Sequence, residues 1–412
     1  MEYVLFFKDA PVASIEFSDN GIFERVNGFY NKQLLPVGMR VSDDVIDSRF
    51  LSWAESRFVP ATRSRLARIL KESESIKTDQ LFCKTYGLSL TDCYWVKPRN
   101  KIDLPPFWDQ VNYFDNEFSP YVGDLIFFDN SESKQNFLSP DLTLNGNVDK
   151  RWVMNDENAI LCKKGNPHLD FFDSFNELIA SFLADALEIP RANTGIAIMD
   201  GEIYTTFANF VDEKHAMFSA LSLSLEKNTV GKAGVLKFIK EHNLKNDLDK
   251  ILILDYLMMN TNRDLTNLSF IQGTTSYEAL EQITLAPVYG FSNCLWIDWK
   301  KNGFDTPDDA KPFETSHERQ IMLVDNFSCV NFSKIEAAEY FIKDIYNAYD
   351  ANKVAASKII EGFKGRIEKL ANVIELKNKE KNEIKKEVVV KEPEKPKPNV
   401  SITRASKGGF DD

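Results

Sequence analysis

The octapeptide NTNRDLTN, residues 260–267, lies between the most apolar run of the chain, ILILDYLMM (251–259), and the short β-prone run NLSFI (267–271). An apolar run interrupted only at Asp255 reads as a buried helix, so the octapeptide is the loop that carries the chain from a helix into a strand. Asp264 is its carboxylate, preceded by Arg263 and followed by Leu265, and it stands three residues before Asn267. Asn262 stands five residues before Asn267 and carries an amide instead. Which of these two spacings holds the chemistry decides how the rest of the chain is read.

Around this loop the chain has the means to build large cores, with 412 residues, 43% hydrophobic and 12% aromatic, and room for two or three domains. Lys and Arg number 50 against 62 Asp and Glu, a net charge of -12 that disfavours direct contact with nucleic acid or anionic lipid. The five cysteines (Cys83, Cys93, Cys162, Cys294, Cys329) have no CxxC spacing, which argues against a disulfide framework or a zinc site and fits a reducing cytoplasm. The start, MEYVLFF, has an acidic flank unlike a secretory signal, and no segment approaches the ~20 apolar residues that span a bilayer. A cytoplasmic, non-membrane protein is expected.

YVLFF and VASIEF, separated by KDAP, predict a hairpin-led β-rich module at the start. VPATRSRLARILKES predicts a helix opening near Pro60 and Thr62, and LTDCYWVKP and YVGDLIFF read as strands. The connector DNSESKQNFLSPD (129–141) marks the expected boundary, giving an N-terminal module over 1–135. Beyond it, RWVM and AILCKKG predict a hairpin, SFNELIASFLADALEI an amphipathic helix ended by Pro190, and TGIAIMDGEIYTTFANF two strands about Asp200-Gly201. A largely helical stretch reaches Met259, and helices dominate 333–376. The Lys/Glu/Pro-rich end, 377–412, predicts a helix fraying into a disordered tail.

A strand pair with a lysine, a helix with a glutamate, a polar connector and a helical lobe with a polar loop is the layout of a bilobed kinase. There, a carboxylate holds a lysine where it neutralises nucleotide phosphates. Lys163 and Glu177 are the candidates for that pair. Gly146 and Lys150, in NGNVDKR, could cradle phosphate, although one glycine is weak support. Asn209 to Val211 fall where a hinge would face the adenine. In protein kinases the loop reads HRDLxxxN, with the base Asp five residues before the metal-binding Asn, a spacing that Asp264 does not meet.

The motifs SPDLTLNGNVDKRWVM, LCKKG, FNELIASFLADALEIP, LDYLMMNTNRDLTNLSFI and APVYGFSNCLW, in this order over most of 137–300, resemble those of the HipA-like kinases, bacterial relatives of the protein-kinase and phosphoinositide-kinase folds. PVASIEF, LPVGM, VPATRSRL and LSLTDCYWVKP are similar to the N-terminal module of a phage- and excisionase-annotated branch of that family. The resemblance implies an α+β, bilobed core over 136–376, with an N-lobe over about 136–211 and a helical C-lobe over about 212–376. It also implies ATP and magnesium as ligands, Ser/Thr kinase chemistry and a toxin–antitoxin setting.

The family loop reads N-x-D-R-H-x-x-N, and its metal loop approximately A-P-I/V-F/Y-D-x-G-T/S-S-L. Asn260, Arg263 and Asn267 match. Asn262 stands where the catalytic Asp belongs and Asp264 where the His belongs, while Gly290 replaces the metal-binding Asp and Ser292 the Gly two residues on. An amide cannot accept a hydroxyl proton at neutral pH, and loss of a positioned base removes ~10²–10⁴ of rate. Glycine offers magnesium no ligand. The resemblance with these replacements implies a pseudokinase that keeps the Lys163–Glu177 nucleotide anchor, with Asn267 the remaining metal-side residue, and acts through a protein partner. The rival is an active ATP-dependent Ser/Thr kinase of toxin or effector type that uses Asp264 or another carboxylate. Asp255 reads as a structural acceptor beside the loop.

The arginines at 49, 57, 63, 65 and 68 read as a solvated face balanced by Glu72 and Glu74, with a docking patch as the alternative. The four histidines show no metal-ligand spacing.

Overall fold

The computed structural model describes residues 1–390 apart from 59–65, 76, 129–131, 145, 147, 156–157, 200, 227–228, 305–308 and 350. The expected helix start at Pro60 and Thr62, Arg63, Arg65, Asp200 and the tail beyond Val390 therefore lie outside the described residues. Met1–Glu368 form one compact unit. Lys369–Asp412 form a second, which is helical as far as Val390.

The expected opening hairpin is present. Strands β1 (Glu2–Phe7) and β2 (Ala10–Phe17) pair antiparallel with Tyr3 opposite Ile15 and Leu5 opposite Ala13. Strands β3 (Phe23–Phe29) and β4 (Tyr94–Pro98) complete a sheet of order β3-β2-β1-β4. Aromatic rings fill its covered face: Phe17 lies 6.3 Å from Phe50, and Phe50 6.1 Å from Phe82. Arg57 is buried here, its Nη1 2.5 Å from Asp92 Oδ2 and its Nε donating to Gly87 O. It is thereby withdrawn from any arginine patch, and Arg68 is paired with Glu72 at 2.9 Å.

One element departs from expectation. YVGDLIFF is a helix, Tyr121–Phe128, not a strand. Short apolar runs buried on all sides carry no period that separates strand from helix. Here Asp124 N donates to Pro120 O, closing a first helical turn that starts at the proline. Gly123 then lets the helix approach a buried carboxylate, since a Cβ there would lie 2.5 Å from Asp141 Oδ2.

The second sheet has the order β5-β6-β8-β7, all antiparallel, from β5 (Lys150–Met154), β6 (Ala159–Lys164), β7 (Thr194–Met199) and β8 (Glu202–Ala208). Both expected hairpins, β5-β6 and β7-β8, are formed. A third sheet joins β9 (His215–Ser219), β10 (Ser269–Gly273) and β11 (Ile283–Leu285) in the order β11-β10-β9. The whole is a mixed α+β architecture.

Two helices position the site. Phe172–Ala186 buries Phe172, Phe175, Ile179 and Leu183 at helical spacing, with Phe172 4.9 Å from Tyr346 on the helix Phe332–Ala348. Lys245–Met258 is buried at every position from Ile251 to Met258, which explains why its sequence carries almost no amphipathic period. Arg366 clasps it, stacking 3.6 Å from the Tyr256 ring and donating to Tyr256 O at 3.0 Å. No helix among the described residues is long and apolar enough to cross a membrane.

Candidate functional site

Residues directly opposite in an antiparallel pair share a face of the sheet. Lys150 on β5 and Lys163 on β6 are such a pair. A Cβ added to Gly146, whose φ is +89°, would lie 3.3 Å from Lys150 Nζ, so the bare glycine leaves room for the ammonium. Gly146, Lys150 and Lys163 are thus gathered at one end of the sheet.

Lys163 Nζ lies 3.2 Å from Glu177 Oε1, and the glutamate side chain is only 1% exposed. The helix carrying Glu177 buries Asp173, Ser174, Asn176 and Glu177, and three of them make hydrogen bonds that tie it to its neighbours. Asp173 accepts from Asn166 N, Asn176 Nδ2 donates to Cys294 O at 2.8 Å, and Glu177 Oε2 accepts from Phe291 N at 2.7 Å. Burial pushes the Asp173 carboxyl up, opposed by Asn166 N–H and by the Lys163 charge. Ser292 joins the ion pair: its Oγ donates to Glu177 Oε1 at 2.7 Å and also contacts Lys163 Nζ. The segment 290–294 is therefore clamped to the helix through the same carboxylate that holds the lysine. Sequence reasoning noted Ser292 only as a departure from the family glycine and missed Asn176; that departure was the available signal.

The octapeptide folds around Asp255. Met259, in the left-handed conformation, ends the helix, and Asn260 Nδ2 donates to Asp255 Oδ1 at 2.7 Å. Arg263 is buried, with Nε 3.1 Å from Asp255 Oδ2 and Nη1 donating to Asn267 O and to Tyr289 O. Its guanidinium carbon stands 4.7 Å from the centre of the Phe291 ring. Arg263 is thus the rivet between the 260–267 loop and the 289–292 segment. Asn267 Nδ2 donates to Asn262 O at 2.7 Å, a bond that closes the five-residue interval. Asp264 Oδ1 accepts from Thr266 N at 2.8 Å and Asn267 N at 3.2 Å, capping its own turn.

Gly290 has φ +82°, and a Cβ there would meet nothing within 4 Å. The place where the family pattern puts a metal-binding carboxylate is open space. Magnesium is held through one or two carboxylates together with phosphate oxygens and waters. The residues present do not supply that set. Asp255 serves Arg263, both Glu177 oxygens are taken, Asp298 is exposed and accepts from Asn302, and among the described residues no three His, Cys, Asp or Glu form a metal-holding group.

Asn209 and Val211 lie apart from the lysines in contact terms. Asn209 N donates to Ala159 O at 2.8 Å and its Nδ2 to Leu90 O at 3.3 Å, while Val211 is buried. A cavity of about 400 Å³ lies beside the site, lined among others by Phe210, Lys250, Ile271 and Pro287.

These features define a class: a mixed α+β fold with a buried lysine–glutamate pair clamped to the 291–294 segment. No family model matches the chain, and no curated protein matches it. Among solved structures it is similar to a chain of the Shewanella oneidensis MR-1 toxin–antitoxin complex of HipA, HipB and operator DNA, with 14% identity and a TM-score of 0.51 over 89% of this chain and 95% of that one. It is also similar to the Helicobacter pylori proinflammatory kinase CtkA, with 14% identity and a TM-score of 0.40 over 53% of this chain and 89% of that one. The first likeness gives the chain a HipA-like fold.

Proposed function

We propose that this chain is a bilobed, HipA-like pseudokinase, which holds ATP or a related nucleotide at the Lys163–Glu177 pair and acts through a protein partner in the cytoplasm. One observation carries the reading. Asn267 Nδ2 donates to Asn262 O across a five-residue interval of the length found in the kinase loop, and neither Asn262 nor Gly290 carries the carboxylate that phosphotransfer requires. Of the nearby substitutes, Asp264 caps its own turn through Oδ1, and Asp255 is engaged by Asn260 and Arg263. The protein partner follows from lost chemistry on a retained scaffold. A net charge of -12 speaks against operator DNA as its direct ligand.

Purified chain incubated with labelled ATP and magnesium, beside the double variant Asn262→Asp with Gly290→Asp, tests the reading. The expected outcome is no transfer above background by the unaltered chain. Robust transfer by it overturns the pseudokinase assignment and favours the active-kinase rival. A thermal-shift titration reads binding separately, because a ligand at 100 times its Kd stabilises by about 2.7 kcal/mol. Lys163→Ala abolishes that shift if Lys163 is the anchor.

A further inference from the structure

We infer that Ser292 is a positioning residue for the Lys163 site: its hydroxyl, set between the Glu177 carboxylate and the Lys163 ammonium, keeps the lysine charge available to the phosphate of a nucleoside phosphate. This rests on the proposal that the site holds a nucleotide, and it names the part of the ligand that Ser292 serves.

The charge of Glu177 is shared among three donors. Phe291 N donates to Oε2 and Ser292 Oγ to Oε1, each at 2.7 Å, while Lys163 Nζ stands farther off, 3.2 Å from Oε1. Two neutral donors thus meet the carboxylate at closer range than the ammonium does. Ser292 Oγ, its proton given to Glu177, still has lone pairs with which to accept from Lys163. A hydroxyl in that place fixes the direction of the ammonium without cancelling its charge, whereas a carboxylate drawn close does both. An ammonium has three N–H donors, and among the described residues Glu177 and Ser292 take two of them. The third is left for a ligand, and the lysine side chain retains 11% exposure through which to offer it.

The place of Ser292 is set by groups other than Lys163. Asn176 Nδ2, on the helix that carries Glu177, donates to Ser292 O at 3.3 Å and to Cys294 O at 2.8 Å. From the 260–267 loop, Thr261 Oγ1 donates to Asn293 O at 3.2 Å and Thr261 N to the same oxygen at 3.3 Å. The hydroxyl is therefore presented by a segment pinned from both sides. Without it, Glu177 Oε1 loses a close donor inside a pair whose carboxylate is only 1% exposed, and a buried acceptor left short of donors is costly. The neighbouring ammonium is the group that can replace that donor. Lys163 is then drawn onto Glu177 and away from the phosphate, and the nucleoside half of the ligand is untouched.

Titration calorimetry of the full chain with ADP and with adenosine tests this, on the unaltered protein and on Ser292→Ala, Ser292→Gly and Ser292→Thr. Ser292→Ala and Ser292→Gly are each expected to bind ADP about tenfold more weakly, with adenosine affinity kept within about twofold. Ser292→Thr, which keeps the hydroxyl, is expected to hold ADP within about threefold of the unaltered chain. ADP affinity unchanged in Ser292→Ala overturns the inference, as do equal losses for ADP and adenosine, or a loss in Ser292→Thr as large as in Ser292→Ala. Each of these results leaves nucleotide binding by the unaltered chain intact. Absence of ADP binding by the unaltered chain overturns the underlying reading, and this inference with it. Circular dichroism establishes that each variant is folded.

Discussion

At Gly290 a left-handed backbone conformation coincides with the absence of a side chain. With φ at +82°, a non-glycine residue would be held in a region costing roughly 1–2 kcal/mol, while its side chain would meet open space. Gly290→Asp therefore strains the backbone without a clash, and the variant is expected to fold with slightly lower stability. Arg263 carries the opposite kind of constraint. Its charge and that of Asp255 are both buried, with side-chain exposures of 3% and 0%. Arg263→Met would leave the buried Asp255 carboxyl without its guanidinium partner, at an expected cost of about 3–5 kcal/mol by urea unfolding. A loss below about 1 kcal/mol would show that the rivet is not structural. The match of Arg263 to the family loop was legible in the sequence. Its binding of Tyr289 O was not, because that partner lies 26 residues away and is brought up by folding.

Among the elements, the hairpins and the Phe172–Ala186 helix were readable because each repeats at its own period and ends at a glycine, a proline or a change of composition. Tyr121–Phe128 was not, because a short apolar run buried on all sides carries no distinguishing period; in the fold it packs through Gly123 on Asp141. Asp141 is buried, accepts from Trp152 N at 2.5 Å and from Ser139 Oγ at 2.9 Å, and packs against Gly123. Burial pushes its carboxyl up to about 6, partly offset by those two hydrogen bonds. The folded state then keeps a proton that the unfolded chain has already lost between about pH 4 and pH 6, so this group's contribution to stability falls as pH rises through that window and is level above it. Asp141→Asn should remove this part of the slope, on the order of 3 kcal/mol, in urea unfolding compared with the wild type across the window. Identical pH profiles would refute it. Gly123→Ala should destabilise by about 1–3 kcal/mol through overpacking against the same carboxylate.

For the whole of the Met1–Glu368 unit, the expected boundary near residue 135 is not a gap in the packing. One hydrophobic cluster runs from Tyr3 through Trp95 and Trp152 to Tyr204. Polar contacts follow the same route: Thr91 O accepts from Met217 N at 2.7 Å, Leu90 O from Asn209, and Glu226 from Gly38 N at 3.0 Å. The first 135 residues thus cover the β5-β6-β8-β7 sheet and brace the 209–217 segment. A chain beginning at residue 136 is expected to lose near-UV circular dichroism and bind a hydrophobic dye, as an uncovered core does. Cooperative unfolding of that fragment with a native near-UV spectrum would show instead that the core stands alone.

The sequence by itself determined the opening hairpin, the β5-β6 and β7-β8 hairpins, the Phe172–Ala186 helix and the five-residue interval from Asn262 to Asn267, since these depend on spacing along the chain and on residue type. Only the tertiary structure decided that Asp264 caps its own turn, that Ser292 joins Lys163 and Glu177, and that Lys150 faces Lys163. Each of those statements depends on which groups distant in the chain come within a few ångströms of one another. Local periodicity carries no record of such distances, and the packing of the helices and sheets supplies them.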